Sequence, residues 1–187
     1  MAPRPELRHG ALAALCLTDP QQKVAAAQDL YAQSATLLVA DHLGAEMKAL
    51  SCAPAFPGRP ARPALIHPAQ VPRRSSASVA GRAALVHAIC HIEFNAINLA
   101  LDAVWRFDGM PRAFYLDWLR VASEEAHHFS LLRAHLQSLE HNGQRWDYGD
   151  FPGHDNLWAM CEKTGDDVTA RMALVPRTLE ARGLDAT

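Results

Sequence analysis

The chain has 187 residues, 49% of them hydrophobic, which is enough for one domain with a substantial core. Its 18 Lys and Arg nearly balance 20 Asp and Glu, so the strongly basic surface that grips nucleic acid without sequence preference is absent. Cys16, Cys52, Cys90 and Cys161 form no CxxC pair, which argues against a thiolate zinc site or a disulfide scaffold and for reduced, mostly buried thiols.

The first residues, MAPRPELRHGALAALCLTDP, hold an apolar run of only about eight residues preceded by an acid, too short to span a membrane and poor as a signal peptide. A cytoplasmic protein that spans no membrane is expected. The stretch from Gln21 to about Met47 has no Pro and one Gly, near its end, and reads as a helix, opened by Asp19 as cap and Pro20 at the first position. Residues 1–50 are thus expected to form an N-terminal helical segment. Residues 51–77 are crowded with prolines, which excludes helix interior and central strand. The segment also carries Phe56, Leu65, Ile66 and Val71, so it is expected to lie as a strap against the bundle. Arg73 and Arg74 are expected to face solvent.

A long helix is expected from Ser78 to Phe107, broken by Gly109 and Pro111, and another from Pro111 to about Glu140, ending at HNG. A turn-rich loop follows. A further helix opens near Asp155, with a kink at Pro176, and closes at Gly183. No stretch alternates long enough to be a strand. The fold class is all-α, with residues 78–187 as the core of a bundle in a single domain.

Helical phase singles out a few polar residues. In the segment containing VASEEAHHFSLL, Phe114, Trp118, Val121, Glu125, His128, Leu132, Leu136 and Leu139 follow steps of three and four and form one face. Glu125 and His128 interrupt that apolar stripe, whereas Glu124 and His127 fall on a side shared with Asp117 and Arg120. On the preceding helix Glu93 interrupts the seam of Val86, Ile89, Ala96, Ala100 and Val104 in the same way. Thr169, Met172, Pro176 and Glu180 align on the last helix, making Glu180 a weaker candidate. Buried carboxylates must be paired, neutralised or bound to metal. A lone Glu combined with Glu-x-x-His is the pattern from which helix bundles build dinuclear iron or manganese carboxylate sites. Residues three apart share a helix face and so reach the same ions. Carboxylates outnumber imidazole, and thiolates are absent, which suits iron or manganese better than zinc. The bland alternative is a Glu125–His128 ion pair that satisfies itself. His87, His91, Asn95, Asn98 and Asp102 form a polar line beside the Glu93 seam, expected to be a solvated or capping face. His91, Glu124 and His127 are candidates to orient the ligands from outside.

The stretches HAICHIEFNAINLALDAVWRF, FYLDWLRVASEEAHHFSLL and ALVPRTLEARGLDAT resemble a bacterial family of uncharacterised ferritin-like proteins, a domain-of-unknown-function group. The likeness covers nearly the whole chain. It implies a ferritin-like four-helix bundle with a carboxylate-bridged dinuclear iron centre. It matches Glu93 to the lone Glu of one core helix, Glu125 and His128 to the first Glu-x-x-His, and Glu180 to the other lone Glu. In the family pattern a further helix with a second Glu-x-x-His follows, whereas this sequence ends at Thr187, four residues past Gly183. The expectation is a bundle lacking its fourth core helix, with an impaired or externally completed site, and a homodimer would cover the exposed seam. The implied activity is dioxygen-activating oxidation of an unknown small molecule, or of a modified nucleoside by analogy alone. Iron storage and a metal-free helical interaction module are the competing readings.

Overall fold

The computed structural model describes residues 6–43, 56–72 and 75–175. Among the described residues the regular elements are helices, apart from one very short hairpin.

Helix α1, Leu7–Leu15, was not expected as a separate element. Glu6 caps it, its carboxylate accepting from the backbone N–H of Arg8 and His9. Leu7, Ala11, Leu12 and Leu15 are buried. Helix α2, Pro20–Gln33, begins as the sequence indicates, with Asp19 accepting from Gln22 N–H. It ends at Gln33, well short of Met47, and residues 44–47 lie outside those described. Tertiary contacts outweigh the helical propensity of this stretch. Arg112 donates to the carbonyls of Ser34 and Leu37, a cation placed at the helix C-terminus. Leu7 N–H donates to Leu38 O at 2.8 Å and Ala40 N–H to the Glu6 carboxylate at 2.9 Å, drawing the chain out alongside α1. Fully buried Arg8 completes the junction, donating to the carbonyls of Ala40, Asp41, Val104 and Trp105 and to the Asp108 carboxylate.

Residues 56–72 run across the bundle, with one 3-10 turn at Pro68–Gln70. The Phe56 ring packs edge-on against Trp105 and Trp158, and the backbones of Ala64 and Ile66 hydrogen-bond to Gly153. Leu65 is exposed, against expectation. The fully buried ammonium of Lys23 donates to Leu15 O at 2.9 Å, to Gly58 O at 2.7 Å and to the Asn98 side-chain oxygen. One side chain, whose pKa burial lowers to about 7, therefore ties α1, α2, the strap and the central helix together.

That central helix is α3, Val79–Arg106, capped by Ser78 onto Gly81 N–H. Among the described residues it is the one helix long and apolar enough to cross a membrane by length and composition. Here it is the core helix, flanked by α1, α2 and α4, the last of these Arg112–Ser138. The polar line His87, His91, Asn95, Asn98 and Asp102 is buried along its whole length, not solvated as expected. The reason is enclosure of α3 on its remaining sides, with many of the polar groups bonded within α3 or from other elements, although His87 Nδ1 and the Asn98 side-chain nitrogen are buried without a partner among the described residues. Gly149 N–H donates to His87 Nε2 at 2.9 Å, and Asp102 receives Arg106, Trp105 and the fully buried Arg171.

After α4 the chain turns through β1, Glu140–His141, and β2, Gln144–Arg145, joined by Asn142 and Gly143 with φ of 52° and 78°. Asn-Gly at two left-handed positions is the favoured two-residue hairpin turn. The last helix is two helices rather than one. Helix α5, Asn156–Lys163, stops where Thr164 Oγ1 bonds back to Met160 O, and α6 occupies 168–175 with the Asp167 carboxylate accepting from Thr169 and Ala170 N–H. The break thus precedes Pro176, which lies outside the described residues together with Gly183 and Glu180. Cys90 and Cys161 are buried free thiols, with burial pushing each pKa up to about 12, and Cys16 is exposed.

Candidate metal centre

Helices α3 and α4 pack along much of their length. Where they face each other, the structure brings Glu93 together with Glu125 and His128. One donor atom from each lies within 4.8 Å of the other two. His128 Nδ1 is 3.1 Å from the Glu125 carboxylate. Burial pushes the Glu93 pKa up to about 8, reinforced by its hydrogen bond to Glu125 and by that neighbour's negative charge. A proton therefore sits where two carboxylates converge, which is the position a cation would take over.

The depth of the cluster differs from expectation. The buried face of α4 is Tyr115, Leu119, Ala122, Ala126, Phe129 and Leu136. The row of Phe114, Trp118, Val121, Glu125, Leu132 and Leu139 is only half-buried, at the margin of the core. The Glu125 side chain is 23% exposed and that of His128 is 53% exposed. Aromatic and small residues, one position round the helix, take the interior because α2 also packs on α4 and rotates the covered face.

The neighbouring register is not part of the cluster. Glu124 and His127 are both exposed, and the His127 ring lies 6.4 Å from that of His128. His91 is occupied elsewhere: its Nδ1 meets the Tyr148 hydroxyl at 2.9 Å and its Nε2–H donates to His154 O at 3.1 Å. Glu180 lies outside the described residues. Sequence reasoning missed Cys90, whose buried thiol contacts the carbonyl of Phe129 at 3.8 Å and braces the two helices beside the cluster. Its spacing of three from Glu93 was the available signal.

Donor atoms around one ion with bonds of about 2–2.2 Å stand no more than about 4.4 Å apart. The 4.8 Å cluster closes to that spacing with shifts of less than an ångström. Two carboxylates from separate helices plus one imidazole suit a hard or borderline divalent cation.

No solved structure matches the chain. Over 135 residues it is 55% identical to an uncharacterized protein of Haemophilus influenzae, an alignment that takes in 68% of this chain and 45% of that protein. The chain thus spans about half the length of the curated relative it matches. Residues 16–187 match the family described as "Protein of unknown function (DUF455)", and with nearly the whole sequence covered, the chain belongs to that family.

Proposed function

We propose that this protein is a ferritin-like, carboxylate-bridged dinuclear iron protein acting as a dioxygen-activating oxidoreductase, with manganese as the alternative metal. The observation that carries the reading is the convergence of Glu93, Glu125 and His128 at the contact of two long helices. Bound iron would supply the electrons that reduce dioxygen. Glu93 and Glu125 would hold and neutralise the cations, and His128 would add a neutral nitrogen donor. Trp118, Val121 and Leu132, half-buried on the same row of α4 as Glu125, would limit water on that side. Glu180 would supply a further carboxylate, and the substrate is a small molecule or, by analogy, a modified nucleoside.

A metal-free reading has its own support. The protonated Glu93 and the Glu125–His128 pair satisfy one another in the absence of any ion. The cluster would then be a polar contact in a helical interaction module. Iron storage would use the same ligands in a larger assembly.

Elemental analysis after anaerobic ferrous loading separates these readings. Stoichiometric iron is expected in the wild type and in Glu124→Ala and His127→Ala, and its loss is expected in Glu125→Ala and His128→Ala. Wild-type iron no higher than in the last two variants overturns the metal reading. Oxygen consumption coupled to an oxidised product then distinguishes an enzyme from a store.

A further inference from the structure

We infer that the strap, residues 56–72, is an acid-released latch pinned by Lys23: when this amine takes up a proton, the segment lifts from α3 and uncovers a cavity over His91, Asn95 and Tyr148. Lys23 is fully buried and donates to Leu15 O of α1, to Gly58 O of the strap and to the Asn98 side-chain oxygen of α3. All three partners are neutral. An ammonium taken out of water without a counter-charge is costly, and hydrogen bonds to neutral oxygens recover only part of that cost. The Phe94 ring, its centroid 5.2 Å from the nitrogen, adds a weak attraction.

The ionisable groups facing Lys23 do not supply the missing charge. They are Cys16 at the end of α1, whose thiolate would favour the ammonium but whose own pKa desolvation raises from 9.0, and Arg59 of the strap, a second cation. From α3 the amine meets Asn98 and Phe94, neither of them ionisable. The groove between α2 and α4 lies on the opposite face of α2, along Gln21, Val24 and Gln28, and Arg133 of α4 is held there by Asp147. Among the described residues no carboxylate faces the amine. Burial accordingly lowers its pKa from 10.5 to about 7, and Arg59 acts in the same direction. That repulsion falls on the strap itself, because Arg59 belongs to it. Lifting the strap admits water to Lys23 and parts the two cations, so the open form holds the proton at its ordinary strength while the closed form prefers the neutral amine.

The strap is lightly held. Of residues 56–72 only Pro57, Gly58 and Pro63 are buried, and a segment with few buried side chains can open while the rest stays folded. Beneath it lies a cavity of about 30 Å³, lined by Pro60, Pro63 and Leu65 of the strap and by His91, Asn95 and Tyr148. This is room for about one or two water molecules. Opening gives a larger solute access to the imidazole and the phenol.

Hydrogen exchange at the backbone amides of Gly58 and Ile66, which bond across the strap to Leu15 O and Gly153 O, reads the latch once the intrinsic pH dependence of exchange is removed. With the amine at about 7 closed and 10.5 open, wild-type protection at these amides is expected to fall roughly fifty-fold from pH 9 to pH 7 and only about twofold further below pH 7. It should stay below the protection of the α3 amides throughout. Asn98→Asp supplies the counter-charge at nearly constant shape and removes a side-chain nitrogen that is buried without a partner among the described residues. It is expected to keep the strap closed, with no fall between pH 9 and pH 7. Lys23→Met has neither donor nor charge, so its strap is expected to be loose at every pH, again with no fall. Either variant suffices if the other does not fold. Wild-type protection that is constant across this range, or that falls as steeply in either variant, overturns the latch. Exchange of Gly58 and Ile66 only together with the α3 amides also overturns it, since the strap then opens by global unfolding alone.

Discussion

Arg171 reaches the Asp102 carboxylate at 2.6 Å with neither side chain exposed. Asp102 also holds Arg106, so one buried carboxylate neutralises two guanidinium groups and joins α6 to the end of α3. The two partners are therefore not equivalent. Asp102→Ala leaves two cations without a counter-charge, one of them fully buried, and should cost about 3–5 kcal/mol. Arg171→Ala leaves Asp102 still paired with Arg106, so its cost should be smaller by about 1 kcal/mol or more. Urea unfolding of the two variants measures the order. Equal losses would mean that Arg106 does not compensate.

Lys23 acts as a clamp of a different kind, since its three oxygen partners are all neutral. In Lys23→Met the apolar volume is roughly kept, but Leu15 O, Gly58 O and Asn98 Oδ1 lose their donor. Stability should fall by about 2–4 kcal/mol. The strap should also loosen selectively. Limited proteolysis is expected to cut within residues 56–72 faster in the variant, before the α3–α4 pair is lost.

The sequence showed some of this and could not show the rest. Ser78 and Asp19 announce their helices, because a capping side chain acts on backbone groups two or three residues away. Spacing likewise separates Glu125 and His128 from Glu124 and His127, because a step of one residue turns a helix by about 100°. What phase does not reveal is how deep a face lies. The polar line of α3 reads as solvated by residue type, yet its burial is decided by Tyr148, Gly149 and Arg171, which lie 57, 62 and 69 residues along the chain from their partners His91, His87 and Asp102. The end of α2 depends in the same way on Arg8 and Arg112. The break before α6 was legible, since Asp167 is a capping residue at the start of Val-Thr-Ala, but Pro176 is the stronger helix breaker by residue type.

Gly153 joins the strap to the polar line on α3. Its backbone pairs with Ala64 and Ile66, and a Cβ placed there would lie 2.7 Å from the His91 ring. Gly153→Ala must therefore push the imidazole off its bonds to Tyr148 and His154 or separate the strap from the loop. The expected loss is about 1–3 kcal/mol. In the double variant Gly153→Ala, His91→Ala the added methyl meets space, so the two losses should be clearly less than additive. Additive losses would show that the methyl acts through backbone pairing and not through the ring.

Glu93 supplies a test by pH. Its pKa stands near 8 in the folded metal-free protein, against an ordinary value of 4.5. The folded state then binds this proton more tightly than the unfolded state, so stability is fully present below about pH 4.5. It is lost as pH rises toward 8 and is level beyond that. Glu93→Gln keeps the hydrogen-bonding shape and carries no charge at any pH. It should remove this part of the slope and be more stable than the wild type at pH 8, by about 1–2 kcal/mol after allowance for the partial exposure of the group. Metal reverses the sign for the wild type, because a cation takes the deprotonated form. The rise in melting temperature on adding Mn(II) should grow between pH 6 and 8, with affinity increasing up to about tenfold per pH unit as the proton is displaced. Glu93→Gln should show neither trend. A wild-type melting temperature that stays flat across this range without metal would place the carboxyl in water and remove the shared proton from the description of the site.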